Sequence, residues 1–172
     1  ATIEARWRSR WEFANRYIKP NSSVLDGGCG DGVLGEILLR EKNCKVYGLD
    51  VSHYAMELAK KRGVDVRHCD ISFDLFPFED NSFDVATYLC SLEHVVDPVH
   101  ALQETCRVVK PRGTILVTLP NAVYFFYRLG FLKGIVPLDF LHIKPGEGMH
   151  IQFYNYRNEF EDRVLSKIPQ IK

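Results

Sequence analysis

Short apolar segments alternate with longer amphipathic segments over the first 119 residues, and this alternation limits the fold more than any other feature. Strands that are apolar along their whole length are typical of a parallel sheet with both faces covered. Parallel neighbours need crossover connections, which the amphipathic segments supply as helices. The pattern therefore predicts a doubly wound α/β domain. The predicted parallel strands are residues 23–26, 44–49, 64–68, 83–89 and 114–119.

Helix signals mark the segments between these strands. Ser52 and Asp97 are suited to N-caps, Pro98 to a first helical turn and Gly63 to a helix end. The predicted helices are residues 3–18, 31–40, 52–62 and 98–109, with a turn-rich connection at 71–82. We expect one domain over residues 1–172, with an N-terminal helix (1–20), a ligand-binding core (22–119), an aromatic-rich segment (120–150) and a terminal helix (151–172).

The charge balance argues against a polyanionic partner. The 172 residues contain 22 Lys and Arg and 22 Asp and Glu, so the chain has no general attraction to nucleic acid or anionic membranes. No run of about 18 apolar residues is present to span a membrane, and the first residues lack the apolar core of a secretory signal. The five cysteines form no CxxC pair, so we expect reduced thiols, no metal site and a cytoplasmic protein.

A glycine-rich turn follows the first predicted strand. It lies in the stretch Val24-Leu25-Asp26-Gly27-Gly28-Cys29-Gly30-Asp31-Gly32, where three alternating glycines lead into a helix. Glycine allows the backbone to approach a ligand closely and to adopt positive φ. The carboxylate of Asp26, at the end of the strand, is suited to an ammonium group on that ligand.

Two further acids end the next two predicted strands. Asp50 follows Gly30 by 20 residues, and an acid at this position can accept hydrogen bonds from both ribose hydroxyls. Asp70 follows the third strand and can accept from the exocyclic amine of adenine, with Ile71 against the ring. Because the carboxyl ends of parallel strands meet at one edge of the sheet, the three acids predict a site for a nucleoside that carries an amino-acid group.

Two other interpretations of the glycines compete with this one. Residues 30–35 match the pattern GxGxxG of dinucleotide-binding proteins, which on its own is a weak signal. Here the pattern begins four residues after the predicted strand, whereas the dinucleotide fingerprint begins at the turn itself, and Asp26 would lie unfavourably close to a pyrophosphate. The glycines could instead serve only to pack the turn.

Residues 23–120 resemble the class I S-adenosylmethionine-dependent methyltransferases, specifically the small-molecule (type 11) group that includes the ubiquinone and menaquinone methyltransferases. The motifs that carry the resemblance are VLDGGCGDG (24–32), GLD (48–50), CDI (69–71), FEDNSFDV (78–85), SLEHV (91–95) and RVVKPRGT (107–114). The resemblance implies a Rossmann-like fold, S-adenosylmethionine as cofactor and S-adenosylhomocysteine as product. The cofactor contacts it implies are Asp26, Gly28, Gly30, Gly32, Asp50, Val51, Asp70, Ile71 and Leu89.

The implied reaction is methyl transfer to a small-molecule acceptor (EC 2.1.1.-). Positioning of the two reactants can supply up to about 7–11 kcal/mol of the barrier reduction. A base is needed only when the acceptor loses a proton. His94 is the predicted candidate and His150 the second, each with a structural role as its alternative. Trp7 and Trp11 either cover the sulfonium or pack the N-terminal helix.

The last third of the chain raises a second function and the question of partners. Residues 120–150 predict a lid, an acceptor-binding segment or a dimer surface. Parts of residues 119–161 resemble the methionine-biosynthesis protein W group, which implies a non-catalytic or regulatory partner in homoserine acylation. Methyltransferases of this class usually add two antiparallel strands after the terminal helix, and only residues 168–172 remain here. Either the chain is truncated or the sheet stops at about five strands. In the second case, we expect the fifth strand to offer an edge to a homodimer or protein partner.

Overall fold

The computed structural model of the protein describes residues 3–120, 132–133 and 160–171, with side chains from residue 10 onward. Its longer helices are α1 (Ile3–Tyr17), α2 (Val33–Lys42), α3 (His53–Lys61) and α4 (Pro98–Val108). Its strands are β1 (Ser23–Gly27), β2 (Lys45–Asp50), β3 (Asp65–His68), β4 (Phe83–Leu89) and β5 (Val109–Thr118). Short helical turns span Leu92–His94, Glu161–Arg163 and Leu165–Lys167.

The five strands form one parallel sheet in the order β3-β2-β1-β4-β5. The chain builds outward from β1 to β3 and then returns to place β4 on the other side of β1. The strand order therefore reverses between β1 and β4, and ligands of open α/β sheets bind beyond the carboxyl ends of the strands at such a point. The prediction of a Rossmann-like, doubly wound α/β fold is confirmed.

The central strands β1 and β4 are buried on both faces, which explains why they are mostly apolar, whereas three of the four residues of the edge strand β3 are exposed. Val24 and Leu25 are neighbours in β1 and enter opposite cores. On one face, the buried helical residues are Ala14, Leu34, Leu38, Met56 and Ala59 of α1, α2 and α3, with Ile18 just after α1. On the other face, they are Ala101, Leu102 and Val108 of α4 with Phe160, Val164 and Ile168 of the terminal segment.

Local side-chain chemistry sets the helix boundaries. The Ser52 hydroxyl accepts from Ala55 N at 3.3 Å, and Asp97 Oδ1 accepts from Val99 N and His100 N at 3.0 Å each, so both predicted N-caps are confirmed. The helix α2 begins at Val33, two residues later than predicted, because Gly32 at its N-cap adopts a left-handed conformation with φ 80°.

The fifth strand differs from its prediction. It begins at Val109 rather than Thr114, and its register with β4 jumps from Phe83↔Val109 to Val85↔Thr114. The residues around Arg112, whose φ is 66°, therefore form a bulge inside the strand. Within the described residues β5 pairs only with β4, and its other edge carries no strand.

Several predicted features lie outside the described residues. These are the aromatic-rich segment 121–131 and 134–150, His150, the side chain of Trp7 and the first part of the terminal helix before Phe160. From Phe160 onward, the predicted helix is reduced to two short turns. No helix among the residues that the structure describes is both long and apolar enough to cross a bilayer.

Candidate active site

A cavity of about 650 Å³ lies at the carboxyl ends of β1 to β4, where the strand order reverses. This volume is in the range of small-molecule binding sites. The residues that line the cavity are Gly28, Gly30, Leu49, Asp50, Val51, Ser52, Ala55, Cys69, Asp70, Ile71, Ser72, Cys90, Ser91, His94 and Val95.

A second cavity of about 680 Å³ lies beside the β5 bulge and the terminal residues Gln170 and Ile171. No Asp, Glu or His is among the described residues that line it. It also lies away from the strand ends at which ligands of this fold bind. We therefore take the first cavity as the functional one.

The structure brings most of the predicted site residues together. The ones that line the cavity are Gly28, Gly30, Asp50, Val51, Asp70, Ile71 and the candidate base His94. Three predicted contacts do not line it. Leu89 faces the core beneath α1, Gly32 lies against α3, where a Cβ would come within 2.8 Å of Ala59, and Asp26 is buried at 5% exposure.

The carboxylate of Asp50 joins two loops of the cavity wall. Its Oδ2 accepts from Gly30 N at 2.8 Å, in the glycine turn, and its Oδ1 accepts from Ser52 N at 2.8 Å, at the start of α3. Each carboxylate oxygen can accept a second hydrogen bond. Asp50 therefore fixes the wall and can still accept from a ligand hydroxyl.

The glycine turn presents backbone rather than side chain to the cavity. Gly28 has φ 73° and Gly30 has φ 55°, conformations that L side chains rarely adopt. A Cβ on Gly30 would meet no atom within 4 Å, so the space in front of it is open. A Cβ on Gly28 would lie 2.7 Å from Ser91 Cβ, while the Ser91 hydroxyl donates to Gly27 O at 2.6 Å.

Replacement of Gly28 by Ala is expected to destabilise the protein by about 1–2 kcal/mol through the left-handed backbone alone, with a further cost from the clash with Ser91. The double variant Gly28→Ala/Ser91→Gly removes the clash and should recover that further part. Gly63→Ala is the matched control, because Gly63 also has positive φ (88°) but its Cβ would have an ordinary contact at 3.5 Å. Urea unfolding measures the stability of all three variants. A loss of stability in Gly28→Ala that is no larger than the loss in Gly63→Ala would contradict the clash with Ser91.

Asp26 lies beneath the glycine turn with its carboxylate in the sheet. Burial raises the pKa of Asp26 to about 6, a hydrogen bond from Thr87 acts against this rise, and the charge of Asp50 adds to it. The bond runs from Thr87 Oγ1 to Asp26 Oδ1 at 2.7 Å, between residues paired across β1 and β4. A buried carboxylate with a raised pKa is suited to a cation, which would restore its charged form.

The loop after β3 forms the opposite wall. Asp70 Oδ1 accepts from Ser72 N at 2.9 Å, and Asp74 Oδ2 accepts from Asp70 N at 2.8 Å. The buried Ser72 hydroxyl accepts from Val96 N at 3.1 Å and so links this wall to the loop that carries His94.

Sequence reasoning missed the roles of Ser72 and Thr87. Thr87 is found only from the register that places it opposite Asp26, and Ser72 only from the approach of two distant loops. Ser91 was identified as part of a motif, but its hydrogen bond to the glycine turn had no signal in the sequence.

The end of β4 turns sharply into the cavity. Cys90 has φ 60°, a strained conformation for a residue other than glycine, and its N–H donates to Thr118 O at 3.1 Å. Burial raises the pKa of the Cys90 and Cys29 thiols, so neither is suited to act as a thiolate nucleophile. All five cysteines are unpaired.

The described cavity lining does not include Trp11, three further histidines or Gly35. Trp11 packs against the core beneath α1, in agreement with a packing role. His53 and His68 stack with ring centroids 4.9 Å apart, and His100 Nε2 lies 3.0 Å from Asp74 O. Gly35, the last glycine of the GxGxxG pattern, lies where a Cβ would meet Val64 at 2.4 Å, so it serves the packing of α2.

Comparisons with known proteins match the part of the chain that forms this cavity. A methyltransferase domain family matches residues 25–117. A ubiquinone biosynthesis O-methyltransferase of Neisseria meningitidis is 33% identical over 104 residues, covering 57% of this chain and 44% of that protein. A ubiquinone/menaquinone biosynthesis C-methyltransferase of Citrifermentans bemidjiense is 34% identical over 151 residues, covering 77% of this chain and 63% of that protein. The solved structure of a SAM-dependent methyltransferase from Thermotoga maritima has a TM-score of 0.62 at 27% identity, covering 74% of this chain and 57% of that one.

The chain spans about half the length of the curated relatives it matches, 44% and 63% for the two above. These relatives do not favour the alternative of a non-catalytic partner in methionine biosynthesis. The family match covers more than half of the chain and includes the glycine turn and the strand-end acids Asp26, Asp50 and Asp70. The chain therefore belongs to the S-adenosylmethionine-dependent methyltransferase family.

Proposed function

We propose that the whole protein transfers a methyl group from S-adenosylmethionine to a small-molecule acceptor, and that this chain supplies the cofactor site. The observation that carries the proposal is the cavity at the strand reversal, with Asp50 and Asp70 on its wall and Asp26 beneath it. S-adenosylmethionine, when bound, supplies a methyl group already activated on a sulfonium. The work left to the protein is therefore binding, alignment and, for some acceptors, removal of a proton.

The residues present fit this cofactor. The open space in front of Gly30 admits a ligand against bare backbone, and the raised pKa of Asp26, about 6, suits an ammonium group above it. We assign Asp50 to the ribose hydroxyls, because both of its oxygens are already oriented by backbone N–H groups. We assign Asp70 and the apolar side chains of Val51 and Ile71 to the adenine. Gly32 and Leu89 are assigned to packing, on the basis of their positions.

We assign His94 the role of base for an acceptor that loses a proton. It lines the cavity next to Cys90 and Ser91, at the end of β4 that adjoins the strand reversal. The two curated relatives methylate at oxygen and at carbon, by their names. A hydroxyl acceptor would need His94, whereas an acceptor without a proton to lose would not.

Calorimetry with S-adenosylhomocysteine and with NAD tests the cofactor. S-adenosylhomocysteine is expected to bind with one site per chain, and NAD at least about 100-fold more weakly, because its pyrophosphate would face the carboxylates of Asp26 and Asp50. Tighter binding of NAD would reverse the assignment. A screen of metabolite pools with methyl-labelled S-adenosylmethionine then identifies the acceptor, and no labelled product above the level of heat-denatured protein would contradict methyl transfer.

We further propose that residues 1–172 act as one domain in the cytoplasm, where the five unpaired cysteines stay reduced. We propose the outer edge of β5 and residues 120–150 as contact surfaces for a second copy or a protein partner. Among the described residues no strand pairs with this edge of β5, and an edge strand can accept another strand. Size-exclusion chromatography with light scattering measures the state of assembly, and a monomer at all concentrations would contradict a homodimer.

A further inference from the structure

The connection between β3 and β4 (69–82) forms one wall of the cavity and is hydrogen-bonded to α4. Asp70, Ile71 and Ser72 line the cavity near the start of this connection. Three polar side chains of α4 bond to residues farther along it, and none of the three is among the described residues that line the cavity. They follow one another at intervals of four and three residues, which places them on one face of the helix. The three residues are His100, Glu104 and Arg107.

The guanidinium group of Arg107 bonds to the connection at three points. Its Nη2 donates to Phe76 O at 3.0 Å, and its Nη1 donates to Phe78 O and to Asp80 Oδ1 at 2.9 Å each. A guanidinium group presents several N–H donors in a fixed plane, so one side chain can hold acceptors that a single ammonium group could not reach together. Arg107 therefore fixes the path of residues 76–80.

Glu104 is a buried carboxylate that completes this attachment. Its Oε2 accepts from Phe76 N at 2.9 Å and from Arg107 Nη2 at 2.6 Å, and its Oε1 accepts from Arg107 Nε at 3.0 Å. The hydrogen bonds from Arg107 lower the pKa of Glu104 although burial acts against them, so the pair is charged at neutral pH. Removal of one partner from such a pair leaves the other charge uncompensated. The two side chains therefore hold Phe76 as one unit.

A closed turn links the held segment to the cavity wall. His100 Nε2 donates to Asp74 O at 3.0 Å, and Asp74 Oδ2 accepts from Asp70 N at 2.8 Å. The backbone N–H of Asp74 also donates to Asp70 O at 2.8 Å, which closes the turn over residues 70–74. The cavity residue Asp70 is therefore bonded on both sides of its peptide unit to a residue that α4 holds in place.

We propose that Arg107 and Glu104 are positioning residues, which give the cavity its selectivity for adenine by fixing the connection on which Asp70 lies. A site that hydrogen-bonds a polar group of its ligand rejects an analogue without that group, provided that the protein group is held in place. The selectivity rests on the proposed function, in which Asp70 accepts from the exocyclic amine of adenine. The restraint of residues 70–80 by α4 exists without a ligand.

The experiment compares Arg107→Gln, Arg107→Lys and Glu104→Gln with a matched control pair. The controls, Glu57→Gln and Lys60→Gln, break an ion pair of the same i,i+3 spacing between exposed side chains of α3, 2.9 Å apart.

Three measurements are made on each variant. Amide hydrogen exchange over residues 70–80 reports the restraint in the unliganded protein. Calorimetry with S-adenosylhomocysteine and with S-inosylhomocysteine, which carries a carbonyl oxygen in place of the exocyclic amine, reports the selectivity. Urea unfolding establishes conditions in which every variant is folded, so that a loss of overall stability is not mistaken for a loss of selectivity.

Arg107→Gln is expected to speed amide exchange over residues 70–80 about tenfold relative to the controls, and to lower the preference for S-adenosylhomocysteine about tenfold. Glu104→Gln should act in the same direction, and the double variant should show less than the sum of the two effects, because both substitutions disrupt one unit. Arg107→Lys should resemble Arg107→Gln, since lysine keeps the charge but loses the planar set of donors.

Unchanged exchange over residues 70–80 in Arg107→Gln would overturn the restraint by α4. Equal losses of affinity for the two ligands would overturn the selectivity, as would an unaltered protein that binds both equally. If Arg107→Gln does not fold, Glu104→Gln, which keeps the shape of its side chain, decides by the same measurements. If the unaltered protein binds neither ligand, the proposed function fails, and hydrogen exchange still decides whether Arg107 and Glu104 hold the wall.

Discussion

Asp50→Ala is expected to weaken the binding of S-adenosylhomocysteine by roughly 100-fold, or about 3 kcal/mol. The carboxylate accepts from Gly30 N and Ser52 N at 2.8 Å each, so its loss frees the glycine turn and the start of α3 together. The ligand also loses the acceptor that we assign to its ribose. Titration calorimetry measures the change, with unfolding of the unliganded protein measured beside it.

Asp50→Asn separates the two roles of this residue. An asparagine can accept from one of the two backbone N–H groups but turns an amide donor toward the other, so we expect an affinity between those of the original protein and Asp50→Ala. Asp65→Ala, at an exposed position at the start of β3, is the matched control and should leave the affinity unchanged. Full affinity in Asp50→Ala would remove this residue from the site.

Asp26→Asn is expected to stabilise the unliganded protein at neutral pH while it weakens cofactor binding. The rise of the Asp26 pKa from 3.8 to about 6 means that its ionised form destabilises the fold by about 3 kcal/mol at pH 7. The folded protein binds more protons than the unfolded chain between these two values. The stability contributed by protonated Asp26 is therefore full below about pH 4 and is lost as the pH rises through about 6.

Urea unfolding as a function of pH tests this prediction. The stability difference between Asp26→Asn and the original protein should be small near pH 4 and grow toward about 3 kcal/mol at pH 7. The asparagine carbonyl can still accept from Thr87 Oγ1, as Asp26 Oδ1 does, so this contact is retained. A difference that does not depend on pH would contradict the raised pKa.

Cofactor affinity should show the opposite dependence on pH. Ionised Asp26 attracts the ammonium group that we assign above it, so the affinity of the original protein for S-adenosylhomocysteine should fall about tenfold per pH unit below about 6. Asp26→Asn should bind at least about tenfold more weakly at pH 7.5 and lack this dependence. Equal affinities at pH 7.5 would show that Asp26 does not act on the ligand.

The alternation of apolar and amphipathic segments determined the fold class, and the reason is local. A strand covered on both faces must be apolar along its length, and a helix that lies between the sheet and solvent must be amphipathic. Both signals can therefore be read from consecutive residues. The N-caps Ser52 and Asp97 followed in the same way from side chains that bond to the next turn of backbone. Because Asp50 and Asp70 follow neighbouring strands, the sequence also predicted that they lie together, and both line the same cavity.

Only the tertiary structure decided which predicted residues face the cavity. Side chains alternate between the faces of a strand, and Leu89 falls on the face that packs on the core under α1. The packing of α3 against Gly32, the pairing of Thr87 with Asp26 and the link from Ser72 to Val96 all join residues at least 24 positions apart. Sequence periodicity describes neighbours along the chain, whereas these contacts depend on strand register and on the approach of separate loops. The burial of Asp26, which sets its pKa, arises from the same long-range packing.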